Sequence, residues 1–354
     1  MKAVKVTTPA GVLLSLILAA PAATAADGAL GIIARFAIGG NDTGYDYLKV
    51  DSAQPRLYVA HGNRVEVLAL PAGNKVGELT GMHGVHGIEI ISALGKVYTS
   101  DGLDRQVSVF DPRTLAASKR IGPTGVKPDA IQYDSQSGRL FVVNGGETGD
   151  LTIIDPRSDT IVRTIALGGV KLEQIGFDGR GHAFINDEGK SVVHVLDTAT
   201  LRKTGEWSLA PCEEPTGLAV DRERHRVFSV CGNGKMAILD SDTGRLVSIL
   251  PISGDPDGVA FDARRSRVFV SNREGLLDVY QVESPQKFVR QPTVRTGPGA
   301  RTLALDADTG TVYVPTARFT AATPGGKPEL IPDSFAVLAI GRVAPKSTGA
   351  GSAH

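Results

Sequence analysis

The chain has 354 residues, with 38 basic and 38 acidic side chains, 42% hydrophobic residues and two cysteines. The balanced charge gives no overall electrostatic case for nucleic acid or an anionic membrane as partner. The 42 glycines and 20 prolines favour short strands joined by turns over long helices.

At the start, Lys2 and Lys5 precede an apolar run from Val12 to Ala20 and the small residues Ala23, Thr24 and Ala25. This is the pattern of an export signal cut after Ala25, so residues 1–25 are expected to be removed. The run is shorter than the roughly 20 apolar residues a membrane helix needs, and no later stretch approaches that length. The expected location is periplasmic or secreted, with no transmembrane segment. Without Lys2 and Lys5 the 38 basic side chains become 36 against 38 acidic ones, which again disfavours nucleic acid.

Gly31 to Gly40 (GIIARFAIGG) reads as a lone strand with no hairpin partner beside it, and it matches Thr160 to Gly169 (TIVRTIALGG). Beyond it, aromatic residues recur at Tyr58, Tyr98, Phe141, Phe184, Phe228, Phe269 and Tyr313, at spacings of 40, 43, 43, 44, 41 and 44 residues. This period, with short strands bounded by turn residues, signals propeller blades. In each unit an inner strand ends in Asp (Asp51, Asp134, Asp178, Asp221, Asp262, Asp306; Ser92 in the second unit). The aromatic strand follows, then a third strand ending in turns such as VFDPRT and IIDPRS, then a fourth. The seventh unit stops after a third strand at Ser334 to Ile340. Gly31 to Ile38 is expected to supply its fourth strand, closing an all-β seven-bladed propeller over residues 26–343 and removing an open sheet edge. The tail 344–354 is expected to be disordered.

The loop before each inner strand and the loop after each aromatic strand open on one face of such a ring. The residues leading into the inner strands are Asp46, His86, Asp129, Glu173, Thr216, Asp257 and Arg301. Three residues past each aromatic stand His61, Asp101, Asn144, Asp187, Cys231, Asn272 and Thr316. From these rings, the candidate ligand-binding set is Asp46, His61, His86, Asp101, Asp129, Glu173, Asp257, Asn272 and Arg301. Each alone is explained by strand capping; converging carboxylates repel one another unless a cation or Arg301 offsets them. His61, His83 and His86 form a candidate metal set for copper or zinc, Met82 favouring copper(I) and Asp101 or Asp104 standing near. Cys212 and Cys231, an even pair in an exported chain, are expected to form a disulfide on the same face. Pro315 to Asp333, with prolines at 324, 328 and 332, reads as a long loop over that face, suited to a lid or binding element. No nucleophile elbow, phosphate loop, HExxH, CxxCH or dinucleotide fingerprint occurs.

The units VDSAQPRLYVA, YDSQSGRLFVVN, VDRERHRVFSV and FDARRSRVFVSN resemble the YVTN β-propeller repeat. With the export signal and seven units, the chain from Gly31 to Val343 is similar to the YncE-like family of exported bacterial proteins. The resemblance implies the fold; it implies little about activity, since related propellers serve as lactonases, lyases, electron-transfer partners and binding scaffolds. The expected function is a non-enzymatic, monomeric scaffold binding a small molecule, cation or protein partner at the channel mouth. The rival is a metal-dependent hydrolase, lactonase or lyase using His61, His83 and His86, with Asp129 or Glu173 as general base.

Overall fold

The computed structural model describes residues 28–343 apart from 41–43, 147–148 and 322–327, together with Met1 and Ala3. The expected export signal and the tail 344–354 fall outside the described residues, those two positions excepted. Among the described residues no helix is long and apolar enough to cross a membrane.

Seven four-stranded antiparallel sheets make up the structure. The inner strands of blades 1 to 6 are Tyr45–Asp51, Val85–Ile91, Pro128–Asp134, Leu172–Phe177, Pro215–Asp221 and Pro256–Asp262; that of blade 7 is the short Ala304–Asp306. Each inner strand touches the next, and the inner strand of blade 7 touches that of blade 1, so the ring is closed.

Blade 7 takes its outer strand from the other end of the chain. Leu30–Ala37 pairs antiparallel with Ala336–Arg342, from Leu30 opposite Arg342 to Ala37 opposite Ala336. The lone apolar run at the start of the sequence finds its partner there, and closure hides what would be an open edge.

Second strands are apolar on both faces because each blade is sandwiched between two others. In Arg139–Asn144, Leu140, Phe141, Val142 and Val143 are all fully buried. The seven recurring aromatics are buried likewise; Tyr58, for example, packs with Val85, Ile88, Val97 and Phe110, so it joins blade 1 to blade 2. Replacing such a ring by Ala costs about 3–5 kcal/mol.

The recurring aspartates do the turn work expected of them. Asp51 Oδ1 accepts from the amides of Ala53 and Gln54, and Asp134, Asp221, Asp262 and Asp306 accept from equivalent amides. Blade 2, with Ser92 there, uses a 3-10 turn at Ser92–Leu94 and a left-handed Gly95 instead.

The long insertion of blade 7 is a loop closed at its base. Thr320 N donates to Glu329 O, Ile331 N donates to Arg318 O, and Phe319 bridges Leu330.

Candidate functional site at the mouth of the ring

In blades 2 to 6 the loop before the inner strand is tied to the loop after the second strand beside it. Gly102 N donates to Gly84 O (2.8 Å), Gly145 N to Lys127 O (2.9 Å), Glu188 N to Lys171 O (2.8 Å), Gly232 N to Glu214 O (3.0 Å) and Arg273 N to Asp255 O (2.9 Å). Both loop sets therefore open on one face. Lys127, Glu214 and Asp255, which accept in these bonds, sit in the left-handed backbone region, as Gly84 does in blade 2. For side-chain-bearing residues that conformation is costly; it recurs at blade turns away from the mouth, as at Leu115, Asp159, Leu201 and Ser266.

Just inside, the inner strands of blades 1 to 6 each begin with a pairing slip, for example between Tyr45 and Leu48, Val85 and Ile88, and Pro128 and Ile131. A bulge inserts a residue and re-aims its side chain. The residues at these slips are those read from the sequence, Asp46, His86, Asp129, Glu173, Thr216 and Asp257; with Arg301, which precedes the short inner strand of blade 7, they all line one cavity of about 290 Å³. Their backbones are clamped from neighbouring blades. Ser100 donates to Asp129 O, Asn186 Nδ2 to Thr216 O (3.0 Å), Ser271 Oγ to Arg301 O (2.6 Å) and Thr302 Oγ1 to Asp46 O (2.8 Å). Close approach is enabled by glycine: a Cβ on Gly87 would lie 2.6 Å from Asp129 O, and one on Gly217 2.6 Å from Asp257 O.

The second ring expected from the sequence does not line the cavity. His61, Asp101, Asn144, Asp187, Cys231 and Asn272 are fully buried and Thr316 nearly so. Their side chains turn into the blade: Asp101 accepts from Thr99 and Ser108, Asp187 pairs with His194 at 3.0 Å, His61 meets Glu66 at 3.2 Å, and Asn272 accepts from Leu276 N. Side chains alternate along a strand, so one residue decides the face. Glu188 and Arg273, one position further on, are the ones that reach the cavity, together with Lys127, Lys171, Glu214 and Asp255, each two residues before a ring position. The signal for these was present as the repeated pairs K-P-D, K-L-E, E-P-T and D-P-D leading into the inner strands.

The expected metal set His61, His83 and His86 does not assemble. His61 is sealed in blade 1 against Phe335, His83 is exposed and paired with Asp104 at 2.9 Å, and His86 faces the cavity. Met82 is a core residue, 1% exposed. The rival hydrolase reading thereby loses its ligand set. Among the described residues, the histidine, cysteine and carboxylate atoms that cluster as a triple belong to Asp46, His86 and Asp129.

Seven carboxylates line the cavity against Lys127, Lys171, Arg273, Arg301 and His86. His86 Nδ1 is 2.6 Å from Asp46 Oδ2; Arg301 holds Asp257 at 2.7 Å and Asp46 at 3.5 Å; Lys171 holds Glu173 at 3.1 Å and also contacts Glu188. Burial works against the Asp46 charge, but the His86 hydrogen bond and Arg301 keep its carboxyl below the usual range. Burial also opposes a charged His86, yet Asp46 and Asp129 hold its imidazole above the ordinary value, towards the cation. Across the cavity, burial and the neighbouring carboxylates push Glu173 up to about 9 and Asp257 up to about 6. Tyr47 forms the floor. It lines both this cavity and the channel of about 340 Å³ below, and burial with the surrounding carboxylates raises its hydroxyl well above the usual value.

Cys212 and Cys231 form a disulfide, both fully buried, with Cα atoms 5.7 Å apart. It anchors the loop that presents Glu214 to the cavity.

Fold and mouth together define a seven-bladed β-propeller scaffold. Its sequence is YncE-like: it is 25% identical over 208 residues to the uncharacterized protein YncE of Salmonella typhi, and equally to that of Salmonella typhimurium. That match covers 56% of this chain and 57% of the relative, so it spans little more than half the length of either. No family model matches the chain. Among solved structures, hydrazine synthase of Kuenenia stuttgartiensis superposes with a TM-score of 0.68 over 78% of this chain and 94% of that one, at 16% identity, a likeness of fold.

Proposed function

We propose that this propeller is an exported binding scaffold that takes a small cationic ligand, such as an organic amine, at the mouth of its ring. The observation that carries this is one cavity lined by a side chain from every blade, with carboxylates outnumbering the cations among them. Burial and the neighbouring carboxylates raise Glu173 to about 9 and Asp257 to about 6, and an entering cation would offset both effects and favour their ionised forms. The floor at Tyr47 limits the ligand to a small molecule. A buried disulfide accords with an oxidising compartment outside the cytoplasm. The ring is complete within one chain, and the monomer is taken as the binding unit.

Titration calorimetry with pentane-1,5-diamine, set against glutarate of the same length and opposite charge, tests the proposal. The diamine should bind in one site and the diacid should not. Glu173→Gln and Asp257→Asn should each weaken the diamine by about tenfold or more, since each removes a charged hydrogen-bond acceptor. Equal binding of diamine and diacid, or diamine binding indifferent to both substitutions, would rule it out.

A further inference from the structure

We propose that Asp46, His86 and Asp129 form a site for a divalent transition ion, of the zinc or manganese kind, on one arc of the mouth. The proposal deepens the reading of the mouth as a binding site and rests on it; the opposite arc, around Glu173 and Asp257, remains for the amine.

Three consecutive blades each contribute one donor, and one ligand atom from each lies within 4.8 Å of the other two. A single imidazole with two carboxylates is an N,O-donor set, which suits zinc or manganese; copper(I) prefers the soft sulfur that Met82 keeps in the core. The backbones behind the two carboxylates are fixed by Ser100 and Thr302; His86, bonded through Nδ1 to Asp46 at 2.6 Å, must bind the ion as the neutral imidazole, so any proton it carries is released to solvent as the ion enters.

Asp129 supplies an independent observation. Its side chain is only 9% exposed and faces the cavity, yet among the described residues no donor hydrogen-bonds its carboxylate. The nearest cation, Lys127 Nζ, stands 3.6 Å away on a side chain that is 46% exposed and can turn to solvent. Buried carboxylates are normally satisfied, and this chain satisfies others: Asp101 receives two hydroxyls, and Asp187 receives His194 and backbone amides. Asp129 is left with open acceptor capacity beside an imidazole.

The loops on this arc also leave room. The position after the second strand is Gly62, Gly102 and Gly145 in blades 1 to 3, as it is Gly232 in blade 5, whereas blades 4 and 6 carry Glu188 and Arg273. A Cβ on Gly102 would lie 2.7 Å from His86 Nε2, and one on Gly145 3.4 Å from Asp129 Oδ2. Glycine keeps both donors uncovered.

Calorimetric titration of the chelator-treated full chain with Zn²⁺ should show one ion per chain. Affinity should fall at least about tenfold in His86→Asn and in Asp129→Asn, and stay unchanged in His83→Ala, which alters the exposed pair with Asp104. On the unaltered protein, zinc should slow labelling of His86 by diethyl pyrocarbonate and leave His83 labelling as it was, a readout that survives any misfolding of the variants. Absence of saturable zinc binding, loss of binding in His83→Ala, or equal His86 labelling with and without zinc would each overturn the site. Diamine binding with no zinc binding would remove the metal site alone; zinc binding with no diamine binding would remove the amine reading and leave the metal site standing.

Discussion

Asp101 and Asp129 lie at the mouth ends of strands in adjacent blades, and their carboxyls meet opposite fates. Asp129 is turned into the cavity by a bulge, whereas Asp101 is locked inside blade 2. Burial pushes the Asp101 carboxyl up to about 6 against the pull of the Ser108 and Thr99 hydroxyls. An unfolded aspartate titrates near ~3.9, so between about pH 4 and 6 the folded protein binds more protons than the unfolded chain and its stability falls as pH rises. Asp101→Asn removes that dependence. The stability of the variant relative to the unaltered protein, measured by urea unfolding, should rise by about 2–3 kcal/mol from pH 4 to pH 7; a difference independent of pH would contradict the assignment. In the sequence both residues are simply an aspartate beside a loop. The ring before the inner strands was legible because it recurs 12 residues before the marker aromatic in six units and 11 before it in the fourth. The second ring was read one residue early, since whether His61 or Gly62, Asn272 or Arg273 faces the mouth depends on strand parity, which composition does not record.

At the scale of elements, closure of the ring rests on the pairing of Leu30–Ala37 with Ala336–Arg342. That pairing could be read from the sequence because an apolar strand without a hairpin partner stood at one end and a blade short of a strand at the other. The inward turn of the bulges could not be read, because the residue after the ring position follows no single pattern: it is Gly87, Gly217 and Gly258 in blades 2, 5 and 6, but Tyr47, Ala130 and Gln174 in blades 1, 3 and 4. Removing residues 28–38 leaves the strand Ala336–Arg342 as an open edge. Size-exclusion chromatography with light scattering should then show dimers or larger species, with a lower unfolding midpoint. A monomer of unchanged midpoint would show that closure contributes nothing to stability.

For the whole molecule, seven blades act as a frame that brings side chains distant in sequence to one opening, with Tyr47 separating that opening from the channel below. Inner strands packed against one another and hydrogen-bonded loops between them hold the mouth residues in the frame. Function would then lie in the residues that differ from blade to blade, and the shared turns and aromatics would only hold them in place. The most direct measurement of this is the crystal structure of the full chain soaked in pentane-1,5-diamine. The diamine should be found above Tyr47 with an ammonium group within hydrogen-bond reach of Glu173 or Asp257; a diamine bound on the outer blades or below Tyr47, with the mouth empty, would contradict it.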